Sequence, residues 1–102
     1  MRGMGNMQNM MRQMQKLQKQ MSKEQDEINE SIFVGKSSED LVITKFTGDK
    51  KIQDIKIDKK IIDPDDPDML QDLIIQSIDD AMSQINKMTE EKLGKYTRGL
   101  IH

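Results

Sequence analysis

Residues 7–28 read MQNMMRQMQKLQKQMSKEQDEI, and the spacing of their apolar side chains decides the fold. Met7, Met10, Met14, Leu17, Met21 and Ile28 recur in steps of three and four, with Glu24 as the polar break. That spacing is the a/d seam of a helix made to lie along a partner. Arg12, Lys16, Lys19 and Lys23 recur with the same step on the opposite face. One helix therefore offers a soft apolar stripe to a partner and a basic stripe to something acidic. At 1.5 Å per residue the stretch is about 33 Å long, too long to lie wholly over a small body. It is expected to project.

The rest of the chain sets how small that body is. With 102 residues, 34% hydrophobic, 33% charged and three aromatic residues, it is one domain with a thin core. Such a chain gains from burying its seam against another copy. Ten methionines suit a helix seam, because methionine fills irregular contacts without fixing sharp packing. The absence of cysteine excludes disulfides and zinc–thiolate sites. No continuous apolar run marks a signal peptide or membrane span, so a cytoplasmic location is expected.

The net charge of −2 hides a strong asymmetry. Residues 1–23 carry five cations and no acid, and residues 92–102 carry three cations and no acid. All 18 acids lie between, against eight lysines. A polyanion would meet the basic ends, not the average.

In chain order, residues 1–6 are Gly- and Met-rich and expected to fray before the helix settles and runs to about Glu30. Its basic residues come first and its acids Glu24, Asp26, Glu27 and Glu30 last, against the helix macrodipole, at about 0.3–1 kcal/mol per terminal charge. From Ser31 the period becomes two. Ile32–Val34 reads as a strand closed by Gly35, and Leu41–Thr47 as a second strand. A third follows the Gly48-Asp49-Lys50 loop, with Ile55 and Ile57 on a packed face and Asp54, Lys56 and Asp58 on a wet one. Ile52 breaks that parity, so a bulge or the strand start belongs there. Asp66 caps a second helix, Pro67 opens it and Gly94 is expected to stop it. Lys95–His102 then forms a basic mobile tail. The order is α-β-β-β-α, an α+β fold with a three-stranded antiparallel meander. Three strands on one helix face want an edge paired with another subunit.

Three stretches in this order, GMGNMQNMMRQMQKLQKQM (3–21), DPDDPDMLQDLI (63–74) and KLGKYTRGL (92–100), resemble the YbaB/EbfC family of bacterial nucleoid-associated proteins. The resemblance covers nearly the whole chain. It implies an α-β-β-β-α fold that dimerises through the sheet and leaves helices projecting like tweezers. It also implies DNA binding, which by position falls on Arg12, Lys16, Lys19 and Lys23 and on Lys95 and Arg98. Two departures stand out. The loop Gly35–Asp40 has fewer glycines than is usual in the family, and the tail ends at Ile101-His102 without a Pro-Gly extension.

The resulting expectation is a cytoplasmic, nucleoid-associated homodimer that binds double-stranded DNA with weak sequence preference. Arg12, Lys16, Lys19 and Lys23 lead as phosphate contacts, supported by Arg2, Lys92, Lys95 and Arg98. Phosphate neutralisation with counterion release is the mechanism such residues supply. No aromatic platform for stacking single strands accompanies them. An adaptor using the acidic body and the methionine seam to hold another protein is the alternative, and RNA binding through the same basic ends is a third reading. The carboxylates of Asp63, Asp65, Asp66 and Asp68 lack the glycine and distal glutamate of a calcium loop and read as helix-capping groups. The single histidine is His102, and no supported nucleophile or phosphate-cradling loop is present. No enzyme, cofactor, metal, small-molecule substrate or membrane is expected.

Overall fold

The computed structural model describes the backbone of residues 2–101 and the side chains of residues 5–96. Helix α1 spans Arg2–Glu30, strands β1, β2 and β3 span Ile32–Lys36, Val42–Thr47 and Ile52–Ile57, and helix α2 spans Pro67–Ile101. Single 3-10 turns lie at Ser38–Asp40 and Lys59–Ile61. The molecule is 78 Å in its longest dimension, with cross-sections of 23 and 16 Å. No helix among the described residues is long and apolar enough to cross a membrane.

Helix α1 already begins at Arg2, ahead of the expected start after Asn6. It carries no acid in its first turn and no base in its last, so the charge order does oppose the macrodipole. Its C-terminal end is closed by Ser31, whose N–H and hydroxyl donate to the Glu27 carbonyl at 3.1 and 2.7 Å. Helix α2 opens as its sequence dictates. The Met69 N–H donates to the Asp66 carboxylate at 3.2 Å, leaving Pro67 at the position where its missing N–H costs nothing.

The strands form an antiparallel meander in the order β1-β2-β3. Lys45 faces Asp54 while Phe46 faces Ile52, so Gln53 is the extra residue of a bulge beside Ile52. The register sets one sheet face: Phe33 and Gly35, Val42, Thr44 and Phe46, then Ile57, Ile55 and Ile52. Helix α2 lies over the first two strands. Its Ala81 and Ile85 pack with Phe33, Phe46 and Ile28 of α1, and its Leu73 packs with Val42 and Ile61.

Small residues set how closely α2 approaches. A side chain at Gly35 would run into the Ser77 carbonyl and the Ala81 backbone. The buried Thr44 hydroxyl donates to that same Ser77 carbonyl at 3.2 Å. Gly48 is pressed against the Ile28 carbonyl, which ties the β2–β3 turn to the end of α1. The left-handed residues of the two tight turns are not glycines but Glu39, Asp40 and Lys50, with φ of 57°, 55° and 67°. Glycine would hold such angles without the steric cost of about 1–2 kcal/mol.

Three expectations need correction. Gly35 does not close β1; it lies against the backbone of α2, and the strand continues to Lys36. Strand β3 does not bury one face, for Ile52 and Ile55 turn to the helix side but remain 53% and 41% exposed because α2 does not reach them. Gly94 does not end α2, which runs on to Ile101 and takes in most of the expected tail. An interior glycine costs roughly 1 kcal/mol against alanine, and contacts on either side offset it. Leu93 packs on the core, and Lys95 is bonded to Glu24 of α1.

The two sheet edges differ. Along β1 the Lys36 N–H donates to Asp80 at 2.9 Å, and the Val34 carbonyl accepts from Gln84 at 2.8 Å. Both partners belong to α2, so the β1 edge is closed by its own chain. On β3 the Gln53 amide makes only long contacts, 3.4 and 3.5 Å, to the carbonyls of Lys51 and Ile52.

Candidate nucleic-acid interface

The basic residues of α1 stand where the seam places them. Ile28 anchors the helix in the core, so the turns before it leave the body, and every residue from Gly5 to Lys23 is exposed. Arg12, Lys16, Lys19 and Lys23 form one line on that projection, about 17 Å from first to last. None of the four has an ion-pair partner among the described residues. Unpaired cations on a projecting rod are free to meet phosphates without first breaking a contact.

The supporting residues are placed less uniformly. Lys92 is exposed on α2. Lys95 is partnered: its ammonium lies 3.3 Å from Glu24 Oε1 and 5.1 Å from the centre of the Tyr96 ring. Burial raises the pKa of the Tyr96 phenol, and the Glu24 carboxylate pushes it the same way. The second Glu24 oxygen, Oε2, is buried with no hydrogen-bond partner. Arg2 and Arg98 lie on the helices, but their side chains fall outside the described residues.

Glu24, a polar break in the apolar line of the sequence, is the residue that holds Lys95. Its signal was present, for a lone carboxylate on an apolar line asks for a partner. The partner could not be read, because Lys95 lies 71 residues on. Three further lysines, Lys36, Lys45 and Lys56, are exposed on the sheet face turned away from the helices, beside Asp54.

A cluster of acids marks the start of α2. Asp63 accepts from the Asp65 N–H at 2.9 Å and Asp66 from Met69, so these carboxylates hold the turn that starts α2. No group of three or more His, Asp or Glu side chains among the described residues is arranged to hold a metal. The result is a rod with a basic projecting end and an acidic body, which orients it towards a polyanion.

The chain is thus a small α+β body from which α1 projects a stretch that carries four exposed cations and no acid before Glu24. The chain belongs to the YbaB/EbfC DNA-binding family, whose model matches residues 4–100. It is 59% identical over 101 residues to a nucleoid-associated protein of Lactobacillus acidophilus, covering 97% of this chain and 91% of the relative. A nucleoid-associated protein of Enterococcus faecalis is 52% identical over 100 residues, covering 98% and 96%. A crystal structure of an uncharacterized protein from Helicobacter pylori shares the fold, with a TM-score of 0.63 at 18% identity, covering 76% of this chain and 90% of that one.

Proposed function

We propose that this protein is a homodimeric, nucleoid-associated protein of the cytoplasm that grips duplex DNA by its phosphates with weak sequence preference. The observation that carries the reading is the line Arg12, Lys16, Lys19 and Lys23, unpaired on an exposed helix that bears no acid before Glu24. Lys92 and, where their side chains reach, Arg2 and Arg98 add to the same end. Lys95 contributes only if phosphate displaces Glu24. Glutamines flank the stripe, but no set of side chains on α1 forms a base-reading pattern, so phosphate contacts dominate.

The dimer reading rests on β3. Its edge is not closed by side chains as β1 is, and Ile52 and Ile55 form an apolar row left open beside α2. A second copy laid against β3 covers both. Replacing Ile55 with aspartate is expected to convert a two-chain species into a single chain in sedimentation equilibrium. A variant still sedimenting as two chains would move the interface elsewhere.

Duplex binding is tested by fluorescence anisotropy with a labelled random duplex at about 50 and 200 mM salt, where each neutralised phosphate contributes about −0.9 to the log–log slope. A steep loss of affinity with salt, resistant to single-stranded RNA competitor, is the expected result. No binding at the lower salt would leave the acidic body as the working surface and point to a protein partner.

A further inference from the structure

The seam of α1 outlasts its partner within the chain. At Ile28 it is buried in the core, and at Glu24 it touches Lys95. Beyond that point exposure climbs steadily, from 39% at Met21 through 50% at Leu17 and 56% at Met14 to 62% and 63% at Met10 and Met7. The apolar line continues with nothing over it.

The charges beside the seam say what fits there. With Met7 at position a of a heptad, the seam fills a and d. The flanking e positions are Met11 and Gln18, and the flanking g positions are Asn6, Gln13 and Gln20. None is charged. Arg12 and Lys19 fall at f, and Lys16 and Lys23 at c, on the far side of the helix. Positions e and g are where a helix meets the charges of its partner. A seam for an acidic segment would carry lysine there. A seam for another copy of the same cationic helix must keep lysine away, and this one does.

We infer that α1 pairs antiparallel with α1 of a second copy, Met7 against Leu17 and Met10 against Met14. In an antiparallel pair each a position faces a d position, and a single register satisfies both layers, each twice about a two-fold axis. The direction follows from charge as well. Parallel pairing would set two acidic bodies side by side, whereas antiparallel pairing holds them at opposite ends. The register stops short of Met21, the seam methionine nearest α2. The paired stretch of residues 7–17 is about 15 Å long, small beside the roughly 1,000 Å² a specific interface buries. It is therefore weak alone and gains strength where each molecule presents more than one α1. The outward cations of such a pair face two ways, so two duplexes could be held together; that consequence rests on the DNA-binding reading.

The absence of cysteine makes the test clean. Single Met10→Cys and Met14→Cys variants, distinguished by mass tags, are mixed under mild oxidant without DNA, with Lys16→Cys as the outward control. A disulfide needs Cα atoms about 4.4–6.8 Å apart. The expected result is a mixed Met10–Met14 disulfide several-fold more abundant than either variant gives alone or the control gives. The pair Met7→Cys and Leu17→Cys repeats the test on the outer layer. Cross-linking no greater than the control in both pairs overturns the contact, and preferential cross-linking of each variant with itself overturns the antiparallel direction. Duplex binding, read separately by anisotropy on the same variants, leaves this outcome independent of the DNA-binding reading.

Discussion

Replacing Lys16 and Lys19 together with glutamate is expected to weaken duplex binding by at least about 100-fold near 50 mM salt, corresponding to about 2.7 kcal/mol. The two residues occupy the middle of the unpaired line on α1, and both are exposed. Each substitution removes a phosphate contact and puts a carboxylate in its place. In a dimer four contacts are lost, so the log–log salt slope should become shallower by about 3 to 4. The fold should not notice, because neither side chain touches the core or an ion-pair partner among the described residues. Circular dichroism and sedimentation equilibrium should match the parent. Unchanged affinity at low salt would remove α1 from the interface and turn attention to Lys36, Lys45 and Lys56 on the outer sheet face.

The second large effect is on stability. Replacing Gly35 with valine is expected to lower the melting temperature by about 10–20 °C, from a cost of about 3 kcal/mol or more. Even the first carbon of a side chain there meets the Ser77 carbonyl and Ala81, and these are backbone atoms of α2 that cannot step aside. The helix must lift from β1, loosening the Thr44–Ser77 hydrogen bond and the Phe33–Ile85 packing. A chain of this size has only about 5–15 kcal/mol of net stability to lose. Gly35→Ala should show the same direction with a smaller shift. Melting that is unchanged in both variants would mean that α2 does not approach β1 as closely as described.

Much of this architecture was legible because it is written in local periods. The a/d line from Met7 to Ile28, the alternation in Val42–Thr47, the broken parity at Ile52 and the Asp66-Pro67 start of α2 each depend on near neighbours, and each is found in place. The resemblance to the family held over residues 4–100. What was not legible depends on residues far apart. Gly94 reads as a helix stop until Lys95 is seen bonded across the molecule to Glu24. Gly35 reads as a strand end until α2 is seen lying on it. Ile55 reads as core until the helix proves to cover two strands and not three. The candidate site divides in the same way. Arg12, Lys16, Lys19 and Lys23 were placed together by helical spacing alone, whereas the fate of Lys95 was decided by a partner that no local pattern names.

The Glu24–Lys95 pair ties α1 to α2 near the point where α1 leaves the body. From Glu24 to Met7 the helix is a stiff arm about 26 Å long at 1.5 Å per residue. A rotation of about 10° at the pair would carry Met7 through about 4 to 5 Å, more than the roughly 3.4 Å between successive base pairs. The carboxylate there has one oxygen bonded and one buried without a partner. A small change of angle at this base is thus magnified along the arm that carries Arg12, Lys16, Lys19 and Lys23.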